Sequence, residues 1–452
     1  MANTYLTRTS SSTGNRRTWT FSAWVKRSQI SNADATQMLF GTYTDSSNRL
    51  EIGFHNANNL VFKEKSGGST TIDFTSTQLF KDVHGWYNIV VAVDTTQGTN
   101  TNRVKIYVNG EQITAWNDST YPSEDYDTLM NVTGRAYNVG QEGSNSYYFD
   151  GYMSHVHLID GTACAVTEFG ATDTTTNEWK HNTPSSSYGT NGFFILRDDN
   201  AVTDRSGQGN NFTVGGGTLT KCEDNPSNVF ATINPLQIEG VSGSPALAFA
   251  HGNTKVTRSG NWRGHMSTMG VNQGKWYWEV KQTGNVALGI GKFGGDVDHW
   301  QYLAGGQSWL GDKNDVWISY NNGGTQVKYT GGSSGGNWHP VYSDGEIISI
   351  AFDADNGTIW QGINGTWMNS ATETEIENGT TGNAMYSGIT IGMDFFGALG
   401  AVENGNLEYN FGNGYFGTTA VSSAGTNNSG FGVFEYDVPD GFTAICTKGL
   451  NE

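Results

Sequence analysis

The chain has 452 residues, room for two or three domains with real cores, and no apolar run near the roughly eighteen residues of a membrane-spanning helix. Glycine is the outlier at 61 residues, about twice its usual share, and aromatics reach 12% although apolar residues are only 36%, a balance that excludes a helical bundle. A net charge of −18 repels phosphate and so excludes nucleic acid and anionic membrane as partners.

The first 163 residues read as one all-β module. Thr18-Trp19-Thr20-Phe21-Ser22-Ala23-Trp24-Val25 alternates with the period of two that marks a strand. Met38 to Phe40, Leu50 to Phe54 and Leu60 to Phe62 follow, separated by Asn, Ser or Gly. Trp86 to Val93 is apolar apart from Asn88, as in a central strand covered on both faces. Val104 to Val108, Asn109-Gly110 and Glu111 to Thr114 spell a hairpin, because Asn-Gly accepts the left-handed turn. Tyr148 to Ile159 closes the module.

Residues 164–235 are polar and glycine-rich, interrupted by Gly192-Phe193-Phe194-Ile195-Leu196 and by the turn Asp204 to Asn211. Free linkers seldom carry Phe-Phe-Ile-Leu, so a partly structured connector is expected. From 236 to 452 a second module follows. Its strands are Trp276 to Val280, Val286 to Gly291, Trp317 to Tyr320, Ile348 to Phe352, Thr358 to Ile363 and Ser387 to Gly392. Asn356-Gly357 and Asn364-Gly365 each supply two left-handed positions for tight hairpins. The tail from Asn410 is expected to pack back on the sheets.

TWTFSAWVKRS, LFGTY, GWYNIVVAVD and VKIYVNGEQIT, in that order, resemble the laminin G-like, concanavalin A-like lectin sandwich. GKWYWEV, GIG, DGEIISIAFD and TIWQGINGTW over roughly 245–415 resemble the SPRY domain, another antiparallel sandwich used for binding. The two together, with DRSGQGNNF between them and FEYDVPDGFTAICTKGLN at the end, resemble virion structural proteins of tailed phages, marine ones in particular. The resemblance implies an all-β fold of two jelly-roll sandwiches. It also implies a non-enzymatic virion surface protein: a tail-fibre or tail-tip adhesin, or a peripheral tail component, binding host-surface glycan or protein. A capsid or tail decoration protein is the alternative, and a virion-associated glycan-degrading enzyme ranks third. Its partners would be other virion proteins and host glycan, with the chain itself a homo-oligomer or present in many copies. The start, MANTYLTRTSSS, lacks a signal-peptide core, so synthesis in the host cytoplasm is expected.

The chemical motifs weigh little. Gly289-Ile290-Gly291-Lys292-Phe293-Gly294 spells GxGxxG with no helix to receive a pyrophosphate. Gly332 to Gly336 spells GxSxG in what reads as a loop, without strand before and helix after. His155 and His157 share one strand face but lack an evident third ligand. Glu124, Asp125 and Asp127 form a loop cluster, solvated or calcium-binding. Cys164, Cys222 and Cys446 are odd in number and widely spaced, which reads as buried thiols. No carboxylate pair is evident, no cofactor is expected, and a metal is left open. The candidate ligand-binding residues are aromatics outside the expected strands: Trp116, Tyr121 and Tyr126 in the first module, Trp300, Tyr302 and Trp309 in the second.

Overall fold

The computed structural model describes residues 3–30, 36–197, 201–236, 247–260, 262–294, 314–321, 326–339 and 341–451. Strands hold 47% of the residues and helix 4%, the all-β class expected from the aromatic- and glycine-rich composition. Contacts divide the chain into two units: residues 1–221 with 225–227, and residues 222–224 with 228–452.

Among the described residues the first unit contains sixteen strands. They are β1 (Tyr5–Thr9), β2 (Thr18–Arg27), β3 (Gln37–Asp45), β4 (Asn48–Phe54), β5 (Asn59–Ser66) and β6 (Ser69–Leu79). Then come β7 (Tyr87–Asp94), β8 (Val104–Val108), β9 (Glu111–Gln112), β10 (Trp116–Thr120), β11 (Ala136–Val139) and β12 (Gly151–Asp160). The last four are β13 (Gly170–Thr172), β14 (Trp179–His181), β15 (Phe193–Ile195) and β16 (Thr213–Gly216). One sheet has the order β10-β6-β5-β4-β3-β11-β1-β16 and the other β15-β12-β2-β7-β8-β9, while β13 and β14 form a separate hairpin.

Strand alternation sends one set of side chains between the two sheets. Leu50, Ile52, Phe54, Phe62 and Phe74 from the eight-stranded sheet join Trp19, Phe21, Ile89, Val91 and Ile106 from the six-stranded one in a single core. Phe21 stacks on Phe40 with ring centres 4.7 Å apart, and Trp19 meets Phe62 edge-on at 5.8 Å. Burying such side chains contributes roughly 1.5–3 kcal/mol each. The Asn109-Gly110 turn is left-handed at both residues, as read from the sequence.

Residues expected to form a connector complete this unit. β15 pairs with β12 and β16 with β1. Phe169, Tyr188 and Phe194 cover Val90 and Ile159 on the outer side of the six-stranded sheet. That explains why β7 is apolar on both faces. The outer face of the eight-stranded sheet, by contrast, carries Arg49, Glu51, Lys63, Lys65 and Asp73.

The second unit is built on a twelve-stranded sheet. Trp276–Val280 and Val286–Gly291, expected as two strands, are one continuous strand, Lys275–Lys292. Its first half pairs with Ile347–Asp353 and its second half with Val316–Asn321, the register to its long neighbour Phe396–Asn410 shifting beside Gly284. Asn364-Gly365 is left-handed at both positions and closes a two-residue hairpin, as expected. Asn356-Gly357 differs: only Gly357 has positive φ, and the loop runs over 354–357, held by the Asp353 carboxylate accepting from the Asn356 backbone and amide. Ser387–Gly392 is not a strand. Ile389 and Ile391 are buried there, but the segment bonds the turn at Gly357 through Ile389 N–H in place of a ladder. Conversely, the GxSxG run lies at the start of an edge strand, Ser333–His339, not in a loop. The tail does pack back: Thr443–Ala444 runs parallel to Trp276–Tyr277.

Candidate functional site: a charged groove on the eight-stranded sheet

Because Leu50, Ile52, Phe62, Ile72 and Phe74 point into the core, the residues between them must point outward. Register places Asp73 opposite Lys63, Lys63 opposite Glu51, Glu51 opposite Gly41, and Gly41 opposite Asn138. The result is a polar row crossing five strands. Lys63 Nζ lies 3.1 Å from Asp73 on this row, and Arg49, two residues before Glu51 on β4, brings its Nε within 3.3 Å of the Glu51 carboxyl. Arg49, Glu51, His55, Lys63, Lys65 and Asp73 line a groove of about 310 Å³. Partial burial of the ring and the nearby Lys63 charge lower the His55 pKa, favouring neutral imidazole.

The groove has a wall at Gly41. A Cβ there would sit 2.6 Å from the Cα of Glu142, so only glycine lets the 140–143 segment lie on the sheet. That close approach brings the Glu142 carboxyl to Glu51, although the two are far apart in sequence. Glu51 and Glu142 are 8% and 2% exposed, and they share a side-chain hydrogen bond. Burial first, then the Glu142 carboxyl, push the Glu51 pKa up to about 8, so the pair holds a proton at neutral pH. Ser144 Oγ donates to Glu142 Oε1 at 2.5 Å and fixes the pair's other end. The sequence pattern held no sign of this pair, since nothing but topology joins them.

The aromatics singled out in the sequence are placed differently. Trp116 opens strand β10 and is not in a loop; its ring meets Phe74 edge-on at 5.1 Å. Tyr121 meets the same Phe74 at 4.8 Å. Both are half-buried rings closing the core beyond the sheet edge. Tyr126 donates its hydroxyl to Glu64 at 2.7 Å, and the buried Glu64 also accepts from Leu129 N–H. Trp300, Tyr302 and Trp309 lie outside the described residues. Glu124, Asp125 and Asp127 face arginines: Arg17 lies 3.1 Å from Asp125 and 2.8 Å from Asp127, and Arg103 lies 3.5 Å from Glu124. In the GxGxxG run, a Cβ on Gly289 would meet the Trp317 carbonyl at 2.0 Å, so this glycine serves strand pairing. Cys164 and Cys446 are buried thiols, as expected, whereas Cys222 is only half-buried; none of the three is in a disulfide.

Residues 1–168 match the family model described as the concanavalin A-like lectin/glucanases superfamily, Laminin_G_3. Over these residues the module is similar to that family. A search of curated proteins matched nothing. Among solved structures the chain is similar to the PSpry domain of TRIM65, at 13% identity and TM-score 0.30, covering 40% of this chain and 88% of that one. It is also similar to the SPRY domain of human HERC1, at 12% identity and TM-score 0.28, covering 39% and 96%. A heptameric SAP-like pentraxin from Limulus polyphemus matches at 13% identity and TM-score 0.30, covering 48% and 91%. The groove thus lies on the larger sheet of the laminin G-like module, entirely within the matched residues.

Proposed function

We propose that the protein is a non-enzymatic recognition component on the surface of a tailed-phage particle, and that its laminin G-like module binds a hydroxyl-rich ligand, host-surface glycan, in the groove over β4, β5 and β6. The observation that carries this reading is the cross-strand row Asp73, Lys63 and Glu51, with Arg49 beside Glu51 on the same strand. Fixed donors and acceptors side by side suit vicinal hydroxyls, each of which both donates and accepts. The particle setting rests on the resemblance in residue patterns across both modules.

Glu51 and Glu142 invite a second reading, glycan cleavage. Glycosidase carboxyls flank the scissile bond about 5–5.5 Å or roughly 6.5–9.5 Å apart. A pair hydrogen-bonded to each other leaves no room for a sugar between them. It works instead as a rigid wall of the groove.

A glycan array probed with the full chain tests the reading. Lys63→Ala and Asp73→Ala are expected to lose binding by at least about tenfold, the effect of removing a hydrogen bond to a charged group. Retention in both variants, with loss in Trp116→Ala or Trp300→Ala, moves the site to the aromatics. Gold-tagged antibody on intact particles tests the setting. Label at the tail supports an adhesin, label over the whole head supports decoration, and label on neither overturns a virion role.

A further inference from the structure

A second cluster lies in the same unit, away from the groove. His155 and His157 alternate on β12 and would share a face of a regular strand. The strand is not regular there: its pairing with β2 shifts between Ser154 and His157, and His155 has φ +48°. The two rings therefore part company. His157 is buried, stacked on Phe194 with centres 4.0 Å apart, with its Nδ1 2.9 Å from the Tyr188 hydroxyl. His155 instead turns to His181 on β14, ring centres 4.5 Å apart and tilted by 45°.

Each of these two rings has a hydroxyl at Nδ1: Ser154 Oγ at 2.7 Å for His155 and Ser227 Oγ at 3.2 Å for His181. A hydroxyl that accepts from Nδ1–H selects the tautomer with its lone pair on Nε2, the arrangement that outer-shell partners impose on metal-bound imidazoles. Ring centres 4.5 Å apart are compatible with two metal–nitrogen bonds of roughly 2.0–2.1 Å meeting at one ion.

The geometry points to His155 and His181 as a two-imidazole site for a divalent transition-metal ion of the zinc, nickel or copper class, with water completing the coordination. Imidazole favours these ions over calcium or magnesium. The nearby Arg197 charge opposes a cation and sets the affinity below that of a closed structural site.

Zinc chloride titrated into the full chain, followed by calorimetry and by the histidine Hε1 resonances, tests this. One equivalent is expected to bind, moving the His155 and His181 signals and leaving His84 unmoved. His181→Ala, on an exposed hairpin, and His155→Asn, which tolerates left-handed backbone, should each weaken binding by roughly tenfold or more. Arg197→Gln should tighten it, a response that a purely structural role of the histidines would not give. Absence of saturable zinc binding by the native chain, or binding unchanged in both histidine variants, overturns the assignment.

Discussion

Glu51 is where a single side chain controls the behaviour of the groove. Its carboxyl keeps a proton up to about 8 in the folded protein, against 4.5 for an ordinary glutamate. Between those values the folded state binds a proton that the unfolded chain has lost. Stability from this group is therefore complete below about 4.5 and is lost as pH rises through about 8. The predicted result is a laminin G-like module that unfolds more easily at pH 8 than at pH 5, by an amount on the order of a few kcal/mol. Glu51→Gln, neutral at both pH values, should flatten that slope. Urea unfolding of both proteins at the two pH values measures it, and parallel slopes would show that Glu51 is not the titrating group. Glu279 in the second unit adds a slope of the same sign: burial first raises it to about 7, against hydrogen bonds from Glu435 and Tyr436 N–H, Tyr277 and Asn410. The comparison should accordingly be read on the first module's transition.

At the scale of elements, the bend at Gly284 decides whether one strand can serve both halves of its sheet. Gly284 has φ +83°, and a Cβ there would lie 1.9 Å from the Asn404 carbonyl, a fixed backbone atom. Left-handed strain costs about 1–3 kcal/mol before any clash is counted. Gly284→Ala should thus lower the second unit's stability by more than about 2 kcal/mol, while Gly382→Ala, with open space around it, should change little. Denaturant titration separates the two, and equal midpoints would remove the bend from the account. The sequence pattern showed apolar runs on either side of Gly284 but not their continuity, because a glycine between strands reads as a break. Local chemistry was legible where it was self-contained: Asn364-Gly365 needs nothing but its own backbone to turn. Asn356-Gly357 has the same letters, yet the Asp353 carboxylate captures the asparagine and makes a longer loop. Ile389 and Ile391 alternate as a strand does, but their burial comes from packing without ladder partners. Glu51 and Glu142 were invisible for a related reason. Their meeting depends on Gly41 admitting a loop that local pattern does not connect to β4.

For the whole molecule, the decisive question is where the first folding unit stops. Repeated strand signals end near residue 163, and that boundary suggests itself from the sequence. The structure adds two sheet strands and a cover after it. Phe169, Tyr188 and Phe194 shield Val90 and Ile159, while β15 and β16 occupy edges of the two sheets. Cutting at 163 would expose these apolar surfaces and leave the β12 and β1 edges unpaired, a template for aggregation. At roughly 1.5–3 kcal/mol for each buried apolar side chain, losing the burial of the five named side chains removes on the order of 10 kcal/mol. Whole domains are stable by only about 5–15 kcal/mol. Residues 1–227 expressed alone should therefore give a β-rich circular dichroism spectrum and one cooperative thermal transition, and should keep any glycan binding seen for the full chain. Residues 1–163 should be unfolded or aggregated under the same conditions. A soluble, cooperatively folded 1–163 fragment would mean that the later strands decorate this sandwich without holding it together.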